Sequence, residues 1–145
     1  SYADQVLARL EAQRAGVDLG LQRNTHGQIV CADCANLWVI ARGRLITPPP
    51  SSGALAGIAR SVILEIAGDV GLEAVEADMM SDDLLEADEA LLTNVLLEVA
   101  PLVEVNGQRI GDGKPGMYAK RLRQAYRRAL GLERNSMTQG IEDGT

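Results

Sequence analysis

The chain contains no phenylalanine, and Trp38 and three tyrosines are its only aromatic side chains among 145 residues. A core without Phe has to be assembled from Leu, Ile, Val and Ala, through many small contacts instead of a few large rings. Histidine occurs once, at His26, and cysteine twice, at Cys31 and Cys34. One C-x-x-C with no second cysteine pair and a single histidine falls short of an ordinary four-ligand zinc site. A thioredoxin-type redox pair opens a helix. This pair instead enters Ala35-Asn36-Leu37-Trp38-Val39-Ile40, which reads as a strand. The sequence therefore predicts neither a metal centre nor a redox pair. Basic residues are outnumbered, with a formal net charge of −6, and this excludes nucleic acid as the main partner. Arg121, Arg123, Arg127 and Arg128 share one amphipathic segment and read as a solvated helix face. No apolar run is long enough to span a membrane. No signal peptide or lipidation motif is visible, so the cytoplasm is the default expectation.

What is present is enough for one domain with a real core: 46% of the residues are hydrophobic. Residues 2–15 read as a helix with Val6, Leu7 and Leu10 on one face, ended by Gly16. The chain opens at Ser1 inside this pattern, which reads as the downstream part of something longer. Residues 19–24 and 28–31 read as strands around the turn Asn24-Thr25-His26-Gly27, placing His26 in an exposed turn. A hairpin is expected around Arg42-Gly43, and Pro48, Pro49 and Pro50 then break regular structure. Residues 57–71 read as a helix, and 72–77 as a short strand. Ser81 is expected to cap a small helix, with Asp82 and Asp83 favourable in its first turn. Residues 89–94 read as a strand that stops at polar residues. A hairpin over 99–110 turns at Asn106-Gly107, whose residues tolerate the positive φ of a tight turn. A last helix is expected over 117–130, with a polar tail over 131–145.

One local feature carries chemistry. Leu55-Ala56-Gly57-Ile58-Ala59-Arg60 turns through Gly57 into the mouth of an apolar-periodic helix. Such a start presents free backbone N–H groups and the positive end of a helix dipole, which together attract phosphate.

Hairpins first, then a glycine-opened helix, then a polar-ended strand: this order resembles the fold-type IV pyridoxal phosphate enzymes. These comprise the branched-chain and D-amino acid aminotransferases and 4-amino-4-deoxychorismate lyase. The anchors are Ala35-Asn36-Leu37-Trp38 (family S-N-L-F), Thr47-Pro48, Gly53-Ala54-Leu55-x-Gly57-Ile58-Ala59-Arg60 (family G-x-L-x-G-I-T-R), Ala87-Asp88-Glu89, and Thr93-Asn94 with Pro101-Leu102 downstream. The resemblance implies an α+β fold, a mixed sheet closed into a pseudo-barrel with flanking helices. It is the large domain of the D-amino acid aminotransferase-like enzymes, here over 1–130, with the small N-terminal domain absent. Within the family, Thr93-Asn94 before Leu96-Leu97, and the prolines after Thr47, look most like the lyase.

The resemblance also implies the site. Pyridoxal phosphate is the expected cofactor. Ile58 and Ala59 would offer backbone donors to its phosphate beside Gly57, although Ala59 lacks the family's hydroxyl. Asn94 and Val95 hold the second phosphate position, and Leu55 that of the leucine packed on the ring. The family glutamate that protonates the ring nitrogen aligns, five residues before Asn36, with Cys31. Asp33, two residues on, is a possible substitute or an exposed turn carboxylate. The family lysine has no counterpart: Lys114 and Lys120 lie in a loop and in the last helix, and the aligned position falls upstream of Ser1. The expectation is thus a large-domain fragment with no catalytic residue of its own, completed by a small domain or second chain, and homodimeric as in the family. The alternative is a degenerate member serving as a binding or dimerisation module.

Overall fold

The computed structural model describes residues 5–12, 15–32 and 35–132, and the side chains from Gly20 onward within that range. Asp33, Cys34 and the tail from residue 133 lie outside the described residues. The described strands are β1 (Gln5–Ala12), β2 (Ala15–Arg23), β3 (Ile29–Ala32), β4 (Ala35–Ala41), β5 (Arg44–Thr47), β6 (Glu73–Glu76), β7 (Glu89–Asn94), β8 (Glu98–Val105) and β9 (Gln108–Arg109). The helices are α1 (Ile58–Ile66), α2 (Ser81–Leu85) and α3 (Met117–Ala129). Short 3₁₀ turns occupy Pro50–Ser52 and Ala67–Val70.

The strands form one sheet in the order β3-β2-β1-β8-β7-β4-β5-β6, and β3 also pairs with β4. That extra pairing returns the sheet on itself, so a closed ring runs through β3, β2, β1, β8, β7 and β4. All pairings are antiparallel except β5 with β6, which α1 connects as a crossover. This is the mixed-sheet α+β pseudo-barrel that the sequence predicts.

Closure gives the sheet two faces with separate cores. Leu37, Val39, Leu92, Leu102, Met79 and Leu84 pack on the inner face. Trp38, Ile40, Leu91 and Val99 pack on the outer face, under Ile63 of α1 and Leu122 and Tyr126 of α3. The alternation along β4 follows from the period-two geometry of a strand buried on both sides. Trp38 is fully buried and its Nε1–H donates to Thr93 Oγ1 at 2.8 Å, which satisfies the one polar atom of that ring. Hairpin turns fall where expected: Arg42 and Gly43 have φ of 52° and 76°, Asn106 and Gly107 of 50° and 77°.

Two expectations are corrected. Residues 5–12, read as part of a helix, form β1, antiparallel to β2 on one edge and to β8 on the other. A local apolar pattern this short does not decide between helix and strand, and the pairing offered by two neighbouring strands does. Ser81 is not the cap of α2 but its first residue. Met80 is the N-cap, and Asp83 Oδ2 accepts from its N–H at 2.8 Å. A carboxylate reaching back from the third helical position is the stronger partner there. The arginines of α3 are also less uniformly solvated than expected. Arg127 Nη1 holds both oxygens of Glu98 at 2.7 and 2.8 Å, and Arg123 stands 3.8 Å from it, while Arg121 and Arg128 are exposed. Tyr126, buried beside them, has its phenol pushed above the ordinary 10.0, first by burial and then by the negative charge of Glu98.

Candidate functional site

Strands β2, β3, β4 and β7 carry a row of polar side chains across the outer face, beside the head of α1. Gln22 pairs with Cys31, Cys31 with Asn36, and Asn36 with Thr93, so the four side chains share one face. All four are buried. The Cys31 thiol donates to Gln22 Oε1 at 3.7 Å, and Asn36 Nδ2 donates to the carbonyl of Leu55 at 2.6 Å. The second bond ties the sheet to the loop that enters α1.

Gly57 is the N-cap of α1, with extended backbone. A Cβ there would stand 2.8 Å from Asn36 Oδ1, closer than side-chain atoms pack, and the amide that carries this oxygen is fixed by its Nδ2 bond to the Leu55 carbonyl. Close approach, not a strained φ, is thus what requires glycine here. No side chain caps α1, and among the described residues nothing accepts from the N–H groups of Ile58 and Ala59. Ile58 is 77% exposed, so the head of the helix opens to solvent. Arg60, in the first turn, ties the helix to β6 and to the proline segment. Its Nη2 donates to Glu76 Oε1 at 2.9 Å and to the Pro48 carbonyl at 3.3 Å.

Asn94 follows Thr93 at the end of β7, one residue beyond the neighbour of Asn36. Its Oδ1 accepts from the N–H of Leu97 at 2.6 Å and closes the turn into β8, leaving Val95 exposed at the tip. Leu55 is half-exposed on the other side of the helix head. The structure brings Cys31, the Leu55 carbonyl and Gly57 to Asn36, with Ile58 and Ala59 following Gly57 into the helix, and Asn94 and Val95 following Thr93, the strand neighbour of Asn36. Asn36 and Thr93 entered the sequence reading only as anchors of the resemblance, with no role in the site, and Gln22 only as part of a strand. Their signal was the polar residue in otherwise apolar strands. Lys114 and Lys120 are exposed, in the loop before α3 and on α3 itself, away from this row.

Residues 1–105 match the model of the amino-transferase class IV family. The chain belongs to this family. A putative branched-chain-amino-acid aminotransferase of Methanocaldococcus jannaschii is 32% identical over 127 residues, 88% of this chain and 44% of that protein. The solved branched-chain amino acid aminotransferase of Escherichia coli superposes with a TM-score of 0.72 at 33% identity, over 74% of this chain and 37% of its own. That of Thermobaculum terrenum, solved in its pyridoxal phosphate holo form, gives 0.74 at 30% identity, over 79% and 38%. The chain thus spans less than half the length of the relatives it matches. All three relatives are named as aminotransferases, not as the lyase toward which Thr93-Asn94 leans.

Do the residues of this class IV chain fit the cofactor? At the phosphate end they do. An uncapped helix head with open N–H donors, approached through a glycine that admits no side chain, is a cradle for a dianion. At the far end they do not supply a charge. The position aligned with the family carboxylate is a buried thiol bonded to an amide, and its neighbours along the row are neutral. Asp33, the possible substitute, lies outside the described residues.

Proposed function

We propose that the head of α1 and the end of β7 form the phosphate end of a pyridoxal phosphate site, in an aminotransferase acting on amino acids. The observation that carries this reading is the treatment of the helix heads. α2 and α3 are both closed by a carboxylate of the chain itself, Asp83 and Glu89, and α1 is left open. An open head beside a glycine of close approach accepts the phosphate through backbone groups. The absence of a hydroxyl at Ala59 and Val95 therefore does not remove these donors. Leu55 offers its half-exposed side chain as an apolar seat for the ring, and Asn36 keeps the Leu55 carbonyl and Gly57 at fixed separation.

Bound pyridoxal phosphate supplies the electron sink for amino-group transfer. The chain's own part is to hold and orient the phosphate. In this reading the amine that bonds the cofactor comes from a preceding domain or a second chain, and homodimerisation is the expected assembly. The test is the affinity of the 145-residue chain for pyridoxamine 5′-phosphate against unphosphorylated pyridoxamine, followed by ligand fluorescence. Charge-assisted hydrogen bonds to the phosphate contribute about 1.5–3 kcal/mol, so a preference of about tenfold or more is expected. Equal affinities would remove the reading.

A further inference from the structure

The approach to α1 hangs on one side chain. Among the described residues, residues 54–56 make a single hydrogen bond, the one from Asn36 Nδ2 to the Leu55 carbonyl at 2.6 Å. Asn36 is 3% exposed and is paired with Cys31 of β3 on one side and Thr93 of β7 on the other, so its amide is carried by the sheet and not by the loop. Its second polar atom, Oδ1, lies under Gly57, where a Cβ would come within 2.8 Å. One amide thus holds the carbonyl that precedes the helix cap and stands against the cap itself. The same strand pair carries the counterpart for α3. Glu89, opposite Ile40 at the other end of the β4–β7 pairing, lies under the glycine cap Gly116, and its carboxylate accepts from the N–H groups of Tyr118 and Ala119.

An amide and a carboxylate differ in two ways at such a place. The amide has an N–H to donate to a carbonyl, and it brings no charge. An ionised carboxylate donates nothing, and beside the first turn of a helix its charge is stabilised by the free N–H groups and the dipole. We propose, on the reading of the site just given, that Asn36 is the positioning residue of the phosphate cradle. Its Nδ2 fixes the path of the loop into α1, and its neutral Oδ1 keeps the helix head open to a dianionic ligand. A carboxylate at this position would do for α1 what Glu89 does for α3. It would supply the negative charge from within the chain, oppose the phosphate and release the Leu55 carbonyl. One amide nitrogen therefore decides what the head of α1 can hold.

The experiment compares the affinities of the full chain for pyridoxamine 5′-phosphate and for pyridoxamine, by ligand fluorescence, in the wild type, Asn36→Asp and Asn36→Ala. The wild type is expected to prefer the phosphate form about tenfold or more. Asn36→Asp is expected to bring that preference to about one, with pyridoxamine itself bound within about twofold of the wild type. Asn36→Ala unties the loop without adding charge, so it should weaken the phosphate form about threefold and keep a preference for it. A purely structural role predicts the reverse order, because aspartate is nearer in shape to asparagine than alanine is. A preference retained in Asn36→Asp, or lost more fully in Asn36→Ala, overturns the proposal. Where Asn36→Asp does not fold, the wild type decides. The ¹⁵N-edited NMR signals of the Asn36 side-chain amide should shift on binding pyridoxamine 5′-phosphate and stay in place with pyridoxamine; signals indifferent to the phosphate overturn the proposal as well. Equal affinities in the wild type are a different failure: they remove the phosphate site, and this proposal with it.

Discussion

Helices α1 and α3 begin alike and end up with opposite electrostatics. Each has a glycine N-cap in extended conformation, Gly57 and Gly116, with no cap from its own side chain. At each a Cβ would collide with a polar side chain from the sheet, Asn36 Oδ1 for Gly57 and the Glu89 carboxyl group for Gly116. The sheet residue then decides the outcome. Glu89 Oε2 and Oε1 accept from the N–H groups of Tyr118 and Ala119, each at 3.0 Å, so the positive end of α3 is neutralised within the chain. Asn36 spends its donor on Leu55 and brings no charge, so the positive end of α1 faces outward. A fold that closes one helix head with a carboxylate and leaves its twin open has separated a structural joint from a place for an anion.

The largest effect should come from opening the closed head. Glu89→Ala strands two backbone donors and is expected to cost on the order of 2 kcal/mol, read as a lowered urea midpoint. Pyridoxamine 5′-phosphate affinity should be unmoved once the variant is folded. A matching loss of affinity would mean that the two heads are not independent. Next comes filling the open head. Gly57→Ala pushes a methyl onto Asn36 and should weaken pyridoxamine 5′-phosphate about tenfold, near 1.4 kcal/mol, with a smaller change in the unfolding midpoint. Unchanged affinity would argue that the glycine serves packing only.

A subtler variant removes a donor and adds little bulk near the ligand. Proline is well tolerated at the first helical position, and Gly57 already has the extended backbone that a following proline wants. Ile58→Pro should therefore keep stability and lose affinity several-fold, about 1 kcal/mol for one hydrogen bond. Met117→Pro at the corresponding place in α3 should change neither, because Glu89 takes the next two N–H groups. Equal behaviour of the two proline variants would erase the contrast. The smallest effect concerns the body of α3. Tyr126 titrates above 10.0 when folded, so the neutral phenol contributes stability that is fully present below the unfolded value. That contribution should disappear as pH rises from 10 through the folded value, and Tyr126→Leu should flatten the alkaline limb of a stability–pH curve.

The contrast itself was only half legible in the sequence. Gly57 at the mouth of a helix could be read directly, because glycine before an apolar 3.6-residue period is a local signal. Glu89 could not, since its role depends on β7 lying under the head of α3, and the two are far apart along the chain. The same holds for the row beneath the site. Cys31 was visible as an aligned position, but Gln22, Asn36 and Thr93 become neighbours only through strand register. Turns at Arg42-Gly43 and Asn106-Gly107 were legible because they are fixed by backbone preference within a few residues. Strand β1 was misread for the opposite reason: its edges are completed by β2 and β8, and local periodicity could not distinguish strand from helix.

The pairing of β1 with β8 bears on how the protein is made. Ala8 lies opposite Val105, so the ring is completed by residues almost a hundred positions apart. During synthesis β1 gains its second neighbour only after β8 has been made, and until then one edge of β1 stands unpaired. The closure that gives the site its rigid floor also makes the nascent chain wait, and a ring assembled across so long a span is slow to form.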